Sequence, residues 1–281
     1  MIKIGSGNWI VDNLNSALET WNGKLTEIWQ LISTTPEEFK GGGVWNVIVN
    51  INGAVQAIGY ALLVLFFCLG ICRSTINFRD FRRPEYALRH FIYFVAAKAA
   101  ITYGMELMEA VFEIGAGIVN TVMSRLGGMS GASATMPQEI LDAINDVGFL
   151  DSIPLWLVSL LGTLAITVMS FILILVVYGR FFKIYIYTAM SPLALATFGG
   201  ESTSSVGKTF LKSYAGLCLE GVVIVLSCVI FSAVASTTPS VGGGDAVSMV
   251  WSYLQDVAFN MVMLTVMIFT SNAVVKEMFG L

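Results

Sequence analysis

Residues 154–178 read PLWLVSLLGTLAITVMSFILILVVY, a run of 25 positions without a charged side chain. At about 1.5 Å per helical residue, some 20 residues cross the ~30 Å hydrocarbon core of a bilayer, so this run is long enough to span it. The rest of the chain has the same character. Its 281 residues are 56% hydrophobic and 12% charged, with a mean hydropathy of +0.77. A soluble domain carries about 25% charged residues, so this chain cannot cover a water-facing surface, and an ordinary cytosolic enzyme is excluded. The net charge of −4 and pI of about 5.0 argue against nucleic-acid binding through a basic surface. The expected fold is an all-α polytopic membrane helical bundle. It has about five transmembrane helices, a re-entrant or broken helix, and an N-terminal amphipathic helix.

Four further spans are read at about 44–72, 91–123, 214–236 and 247–275, inside a bundle covering 44–275. The first is most apolar from Ala54 to Cys72. Between the first two lie Arg73, Arg79, Arg82, Arg83 and Arg89 against Asp80 and Glu85, which marks a cytoplasmic loop. Residues 124–153 are polar, with Gly127, Gly128 and Gly131 before a short helical stretch from Pro137 to Val147. The connector 237–246 carries Pro239 and Gly242 to Gly244. Segment 181–200 is ambiguous. It is apolar enough to cross but holds Lys183, Pro192 and a terminal Gly199-Gly200, residues that suit a helix break or a re-entrant turn.

Loop charge decides between the alternatives. If 181–200 does not cross and the N-terminus is outside, ten Lys and Arg side chains fall inside and four outside. If it does cross, Lys208, Lys212 and Lys276 move outside and the count becomes seven against seven. The positive-inside rule favours five spans, with an outer N-terminus and a short cytoplasmic tail at 276–281.

Residues 1–43 form the external part. Ile10, Leu14, Leu18, Trp21, Leu25, Ile28, Trp29 and Ile32 recur at spacings of three and four, with Asp12, Asn15, Glu19, Lys24 and Glu27 between them. Trp9, Trp21 and Trp29 suit a membrane interface, where indole rings collect; packing on a partner protein is the other reading. Gly41 to Gly43 make a hinge before the membrane. Met1 to Asn8 has no apolar h-region, so no cleaved leader is expected.

The second span carries most of the chemistry. Lys98, Thr102, Glu106, Glu109, Glu113 and Asn120 follow helical steps and share a face, while Ala96, Ala100 and Gly104 repeat every four residues on another. Ionisable groups at membrane depth cost about 2.5–3.5 kcal/mol each and need water, a counter-charge or a neighbouring subunit. Two readings stand: the polar row lines an aqueous path, or it forms a seam inside the bundle with its later glutamates at the headgroups. Glu220 in the fourth span and Asp256 with Asn260 in the fifth are further intramembrane polar groups, and either acid suits pairing with Lys98, Arg180 or Lys183. The four cysteines lie in apolar runs, and no ligand set for a metal accompanies them. No phosphate loop, GxSxG or HExxH occurs and His90 is the single histidine, so the chain is read as non-enzymatic. No cofactor is expected, bound phospholipid excepted.

Several strings carry a resemblance. Thr35-Pro36-Glu37-Glu38-Phe39 leads through Gly41-Gly42-Gly43-Val44-Trp45 to Gly59-Tyr60-Ala61-Leu62-Leu63-Val64-Leu65-Phe66-Phe67. Arg180-Phe181-Phe182-Lys183-Ile184-Tyr185-Ile186, Ser191-Pro192-Leu193-Ala194-Leu195-Ala196-Thr197-Phe198 and Gly207-Lys208-Thr209-Phe210-Leu211-Lys212 follow. In this order, from about residue 30 onward, the chain resembles the TrbL-like polytopic inner-membrane subunits of conjugative type IV secretion systems, especially those of Gram-positive mobile elements.

The resemblance implies an external N-terminus, about five spans and a cytoplasmic C-terminus. It also implies a ring of identical subunits, a pentamer in related systems, working with other secretion subunits and separate ATPases on a DNA–protein substrate that passes transiently. It carries no catalytic residues over. The long external domain of larger members is missing, since 124–153 is short. The alternative from another class is a small-solute or ion transporter using Lys98, Glu220 and Asp256 as a relay. A purely structural, holin-like protein is the third.

Overall fold

The computed structural model describes residues 6–75, 84–126, 133–146, 152–235 and 245–281. Among them the chain is helical throughout, with no strand: α1 (Ser6–Ser33), α2 (Gly43–Thr75), α3 (Pro84–Thr102), α4 (Gly104–Leu126), α5 (Gln138–Asn145), α6 (Ser152–Ala196), α7 (Ser204–Ala235) and α8 (Ala246–Phe279). Short 3-10 turns at Phe39–Gly42 and Thr197–Gly199 precede α2 and follow α6. Arg79, Asp80, Arg82, Arg83, Gly127, Gly128, Gly131, Pro239 and Gly242 to Gly244 lie outside the described residues. Among the described residues five stretches are long and apolar enough to cross a bilayer: Phe39–Cys72, Gly104–Arg125, Ile153–Gly199, Ser204–Ala233 and Ala246–Phe279. The protein is an all-α polytopic membrane bundle.

The third stretch departs from expectation. The span at 154–178 and the ambiguous segment 181–200 are one helix of 45 residues, roughly 68 Å long at 1.5 Å per residue. The expected break at Pro192 does not occur. A proline removes the N–H that would bond the carbonyl four residues back, here that of Thr188. Asn52 on α2 supplies the missing donor: its Nδ2 lies 2.6 Å from Thr188 O and 3.1 Å from Ser191 Oγ. A neighbouring helix thus satisfies the freed carbonyl, and α6 continues to Ala196. Gly199 and Gly200 do stand where the helix ends, Gly200 in an extended conformation.

The chain divides into two compact units. One comprises Met1–Ile32, Thr121–Tyr178 and Val223–Ser271. Within it α1 buries Ile10, Leu14, Leu18, Trp21, Leu25, Ile28 and Ile32, the residues its periodicity marked as apolar. Trp9 meets Trp156 near the start of α6 with ring centroids 5.9 Å apart, and Glu27 accepts a 3.1 Å bond from Tyr178 further along. Both contacts advance in the same direction, so α1 runs alongside α6. This corrects the interfacial expectation for Trp21, which is buried against protein; Trp29 is half-buried and Trp9 is exposed beside Trp156. The physical reason is the first half of α6, apolar on every side, which offers α1 a partner within the chain.

Two side chains pin the segment before α5. Asn22 both donates to Ala134 O and accepts from Ala134 N at 2.9 Å, while Tyr253 of α8 donates to Thr135 O at 3.1 Å. At Gly162 of α6, a methyl group would stand 2.8 Å from Leu254 of α8, so glycine sets that helix contact.

The other unit comprises Ser33–Asn120, Gly179–Val222 and Asn272–Leu281. Its core has two clusters. Leu63, Ala97, Ile101, Leu195 and Ala196 make one, and Met108, Phe112, Ile184, Tyr214, Leu217 and Cys218 the other. The face of α2 that meets α6 is shaped by glycine: a Cβ on Gly59 would lie 2.9 Å from Pro192 O. Further along, a Cβ on Gly199 would collide with Leu63, and one on Gly200 would lie 3.0 Å from Phe66 O. Phe39 stacks on Phe181 at 4.3 Å, and Tyr185 donates to Pro36 O at 2.8 Å, tying the segment before α2 to α6.

Candidate functional site

The polar row of the second span is built on α3 and α4. Ala97, Ile101, Gly104, Met108, Phe112, Gly115 and Val119 are buried, at steps of three and four. The helices therefore present one continuous face to the unit's core. Gly104 sits against Leu195, where a Cβ would be 3.0 Å from Cδ1; Gly115 sits against the backbone of Cys218 at 3.1 Å. Of the small-residue series expected to pack, Gly104 is buried, Ala100 half-buried and Ala96 exposed. The packing face is turned by one residue, through Ala97 and Ile101, and its second glycine, Gly115, was not foreseen. Its spacing of eleven from Gly104 is the signal that could have found it.

A break in the helix path at Tyr103 separates α3 from α4. Gln56 of α2 answers it, donating to Ile101 O at 3.0 Å and Thr102 O at 3.4 Å, while Tyr60 and Thr102 share a hydroxyl bond of 2.9 Å. Thr102 in turn donates to Lys98 O at 2.9 Å. Asn52, Gln56, Gly59 and Tyr60 thus share one face of α2. Asn52 and Gln56 donate to backbone carbonyls of α6 and α3, Tyr60 bonds a side chain of α3, and Gly59 lets α6 approach.

Opposite the buried face, Lys98, Thr102, Glu106, Glu113 and Asn120 are exposed and Glu109 is half-buried. Among the described residues no ion pair engages Lys98, Glu106, Glu109 or Glu113. Glu37, before α2, lies within electrostatic reach of Glu109 and adds a fourth carboxylate to the same field. The expected span at 91–123 is narrowed: Glu106, Glu109 and Glu113 lie in the apolar stretch Gly104–Arg125, whereas Lys98 and Thr102 precede it on α3.

The remaining polar candidates separate. Glu220 is buried and accepts from Asn272 Nδ2 at 3.0 Å. Arg180 is buried close by and within electrostatic reach of Glu220; its Nη2 donates to Cys218 O at 3.1 Å and its Nε to Leu217 O at 3.4 Å. Gly221 makes room for this guanidinium, since a Cβ there would stand 2.7 Å from Nη2. Phe112 and Phe181 each lie 5.9 Å from its central carbon, a cation–π distance. Arg180 therefore places a positive charge within reach of Glu220, while Lys98 is exposed on α3. Asp256 and Asn260, both half-buried on α8, belong to the other unit.

A buried apolar face, an exposed acidic face and, among the described residues, five apolar stretches describe a membrane helix bundle with exposed carboxylates on its second stretch. A family model described as TrbL/VirB6 plasmid conjugal transfer like protein matches residues 21–192, more than half of the chain. The chain belongs to the TrbL/VirB6 family. The match runs from the middle of α1 through the polar row of α3–α4 to Pro192 of α6. This TrbL/VirB6 protein is accordingly a multi-pass membrane component of the conjugal-transfer type. No curated protein and no solved structure matches the chain.

Proposed function

We propose that this TrbL/VirB6 protein is a channel or scaffold subunit of a conjugative type IV secretion system. It self-associates in the bacterial cytoplasmic membrane, with its N-terminus outside and its C-terminus inside, so that the polar side of α3–α4 faces a lumen or a subunit seam. The observation that carries the reading is the two-sidedness of these helices: an apolar face closed against the core, and Lys98, Glu106 and Glu113 exposed on the other. Left in lipid, the three glutamates Glu106, Glu109 and Glu113 would cost roughly 8–10 kcal/mol on insertion scales. A ring resolves this by giving that face water or a neighbouring copy.

A second helix supports the same arrangement. Alongside α6, α1 exposes Asp12, Ser16, Glu19, Thr26 and Gln30, a polar stripe parallel to an apolar span. The partners of the ring are the other secretion subunits and the ATPases that supply energy, with the DNA–protein substrate passing transiently. No residue here is assigned a catalytic role.

The test replaces Glu106 and Glu109 together, once with Leu and once with Gln. Transfer frequency in cells and particle mass in nanodiscs are the readouts. The Leu pair should impair transfer or change the oligomer, and the Gln pair, still polar, should retain most of the wild-type behaviour. Unchanged transfer with an unchanged oligomer in the Leu pair would overturn the proposal.

A further inference from the structure

We infer that the outer groove between α6 and α7 is a binding site for an anionic phospholipid. The groove has a volume of about 490 Å³ and lies within the second unit, where both helices belong to apolar spans. Its apolar walls come from Ile186 and Met190 of α6 and Val206 of α7, all exposed, with Phe210 stacked on Tyr187 at 5.3 Å as the floor. These surfaces suit an acyl chain.

The rim has a different chemistry. Ser205, Thr209 and Ser213 follow one another at four-residue steps along α7 and form a hydroxyl edge of the groove. Lys208 and Lys212 each stand three positions after a member of that edge, and Lys183 stands three before Ile186 on the opposite wall. All three lysines are exposed, and among the described residues none forms an ion pair. The neighbouring carboxylate, Glu201, is engaged by Arg89 at 2.9 Å. Exposed lysines on lipid-facing helices carry their ammonium groups to headgroup level. An apolar floor with a hydroxyl edge, flanked on the same two helices by exposed lysines, therefore complements a phosphate attached to hydrocarbon. Phosphate alone would leave the floor uncovered, and a neutral lipid would leave the cations unanswered.

The full chain, purified in mild detergent, would be incubated with phosphatidylglycerol or phosphatidylcholine and read by native mass spectrometry. Phosphatidylglycerol adducts should survive activation that strips phosphatidylcholine, and a millimolar excess of inorganic phosphate should not displace them. Selectivity should fall roughly fivefold for each lysine removed in the series K183Q, K208Q and K212Q. The matching arginine variants should keep it, which separates lost charge from misfolding. A photo-crosslinking residue in place of Val206 should attach to lipid. Equal retention of the two lipids, unchanged selectivity in the triple glutamine variant, or crosslinks to a second copy of the chain would each overturn the assignment.

Discussion

Asn52 carries more structural consequence than any other polar side chain of α2. It is buried, and its amide holds the carbonyl that Pro192 leaves without a helix partner. Asn52→Leu keeps the branched outline and removes the donor, leaving a buried carbonyl unsatisfied at a cost of about 1–3 kcal/mol. Thermal unfolding in detergent should show the loss, and an unchanged midpoint would mean that the bond contributes nothing. Gly221 makes a second residue-scale case. A methyl group there meets the Arg180 guanidinium, which is itself held by two backbone carbonyls of α7. Gly221→Ala should therefore destabilise by about 1–3 kcal/mol, as overpacked sites do, and Gly117→Ala, where nothing lies within 4 Å, should not. Neither partnership was legible in the sequence. Proline 192 is visible as a local signal, but its rescuer sits 136 positions away, and no periodicity encodes such a pairing.

Elements were more legible than their partners. The apolar stripe of α1 was readable because burial imposes a spacing of three and four, and the structure buries those positions. What the stripe faces depends on a surface elsewhere in the chain: its tryptophans suit a lipid interface or a protein partner alike, and Trp21 packs in protein. Cysteines placed at Asp12, Glu19 and Thr26 should react with a bulky maleimide, and ones at Ala17 and Ile28 should not, in a background with Cys68 and Cys72 replaced by Ser. Reaction at all five would mean that α1 is not packed as described. The α3–α4 pair teaches the same distinction. Its polar row was clear from the spacing of Lys98, Thr102, Glu106, Glu109 and Glu113. The packing face was misread by one residue, because a small-residue repeat marks close approach only where the neighbour comes near, here at Gly104 and Gly115.

For the whole molecule, composition and loop charge indicated the class of protein, and the family followed from strings around Pro36, Arg180 and Pro192. The length of α6 was not foreseen, since a hydropathy reading ends a helix at proline and glycine unless a neighbour is known to compensate. If the polar side of α3–α4 is a shared surface, wild-type protein in nanodiscs should give one discrete mass, and cysteines at Glu106 or Glu113 should crosslink between copies or remain water-accessible. A monomer with both positions shielded by lipid would contradict the arrangement. Purified protein alone should give no substrate-driven flux in liposomes, because Lys98 is exposed while Glu220 is engaged by Asn272. Sustained ion flux that is lost in Glu220→Gln would favour a transporter instead.

The bond between Asn52 and Thr188 also has a temporal side. A ribosome adding about 5–20 residues per second needs roughly 7–27 s to make the 136 residues between them. The donor is therefore already waiting in α2 when the proline-bearing stretch emerges. Delivery of the same two segments in the opposite order, as in a circularly permuted gene, would expose the open carbonyl to hydrocarbon for that interval. The order of synthesis thus sets the donor in place before the carbonyl it serves.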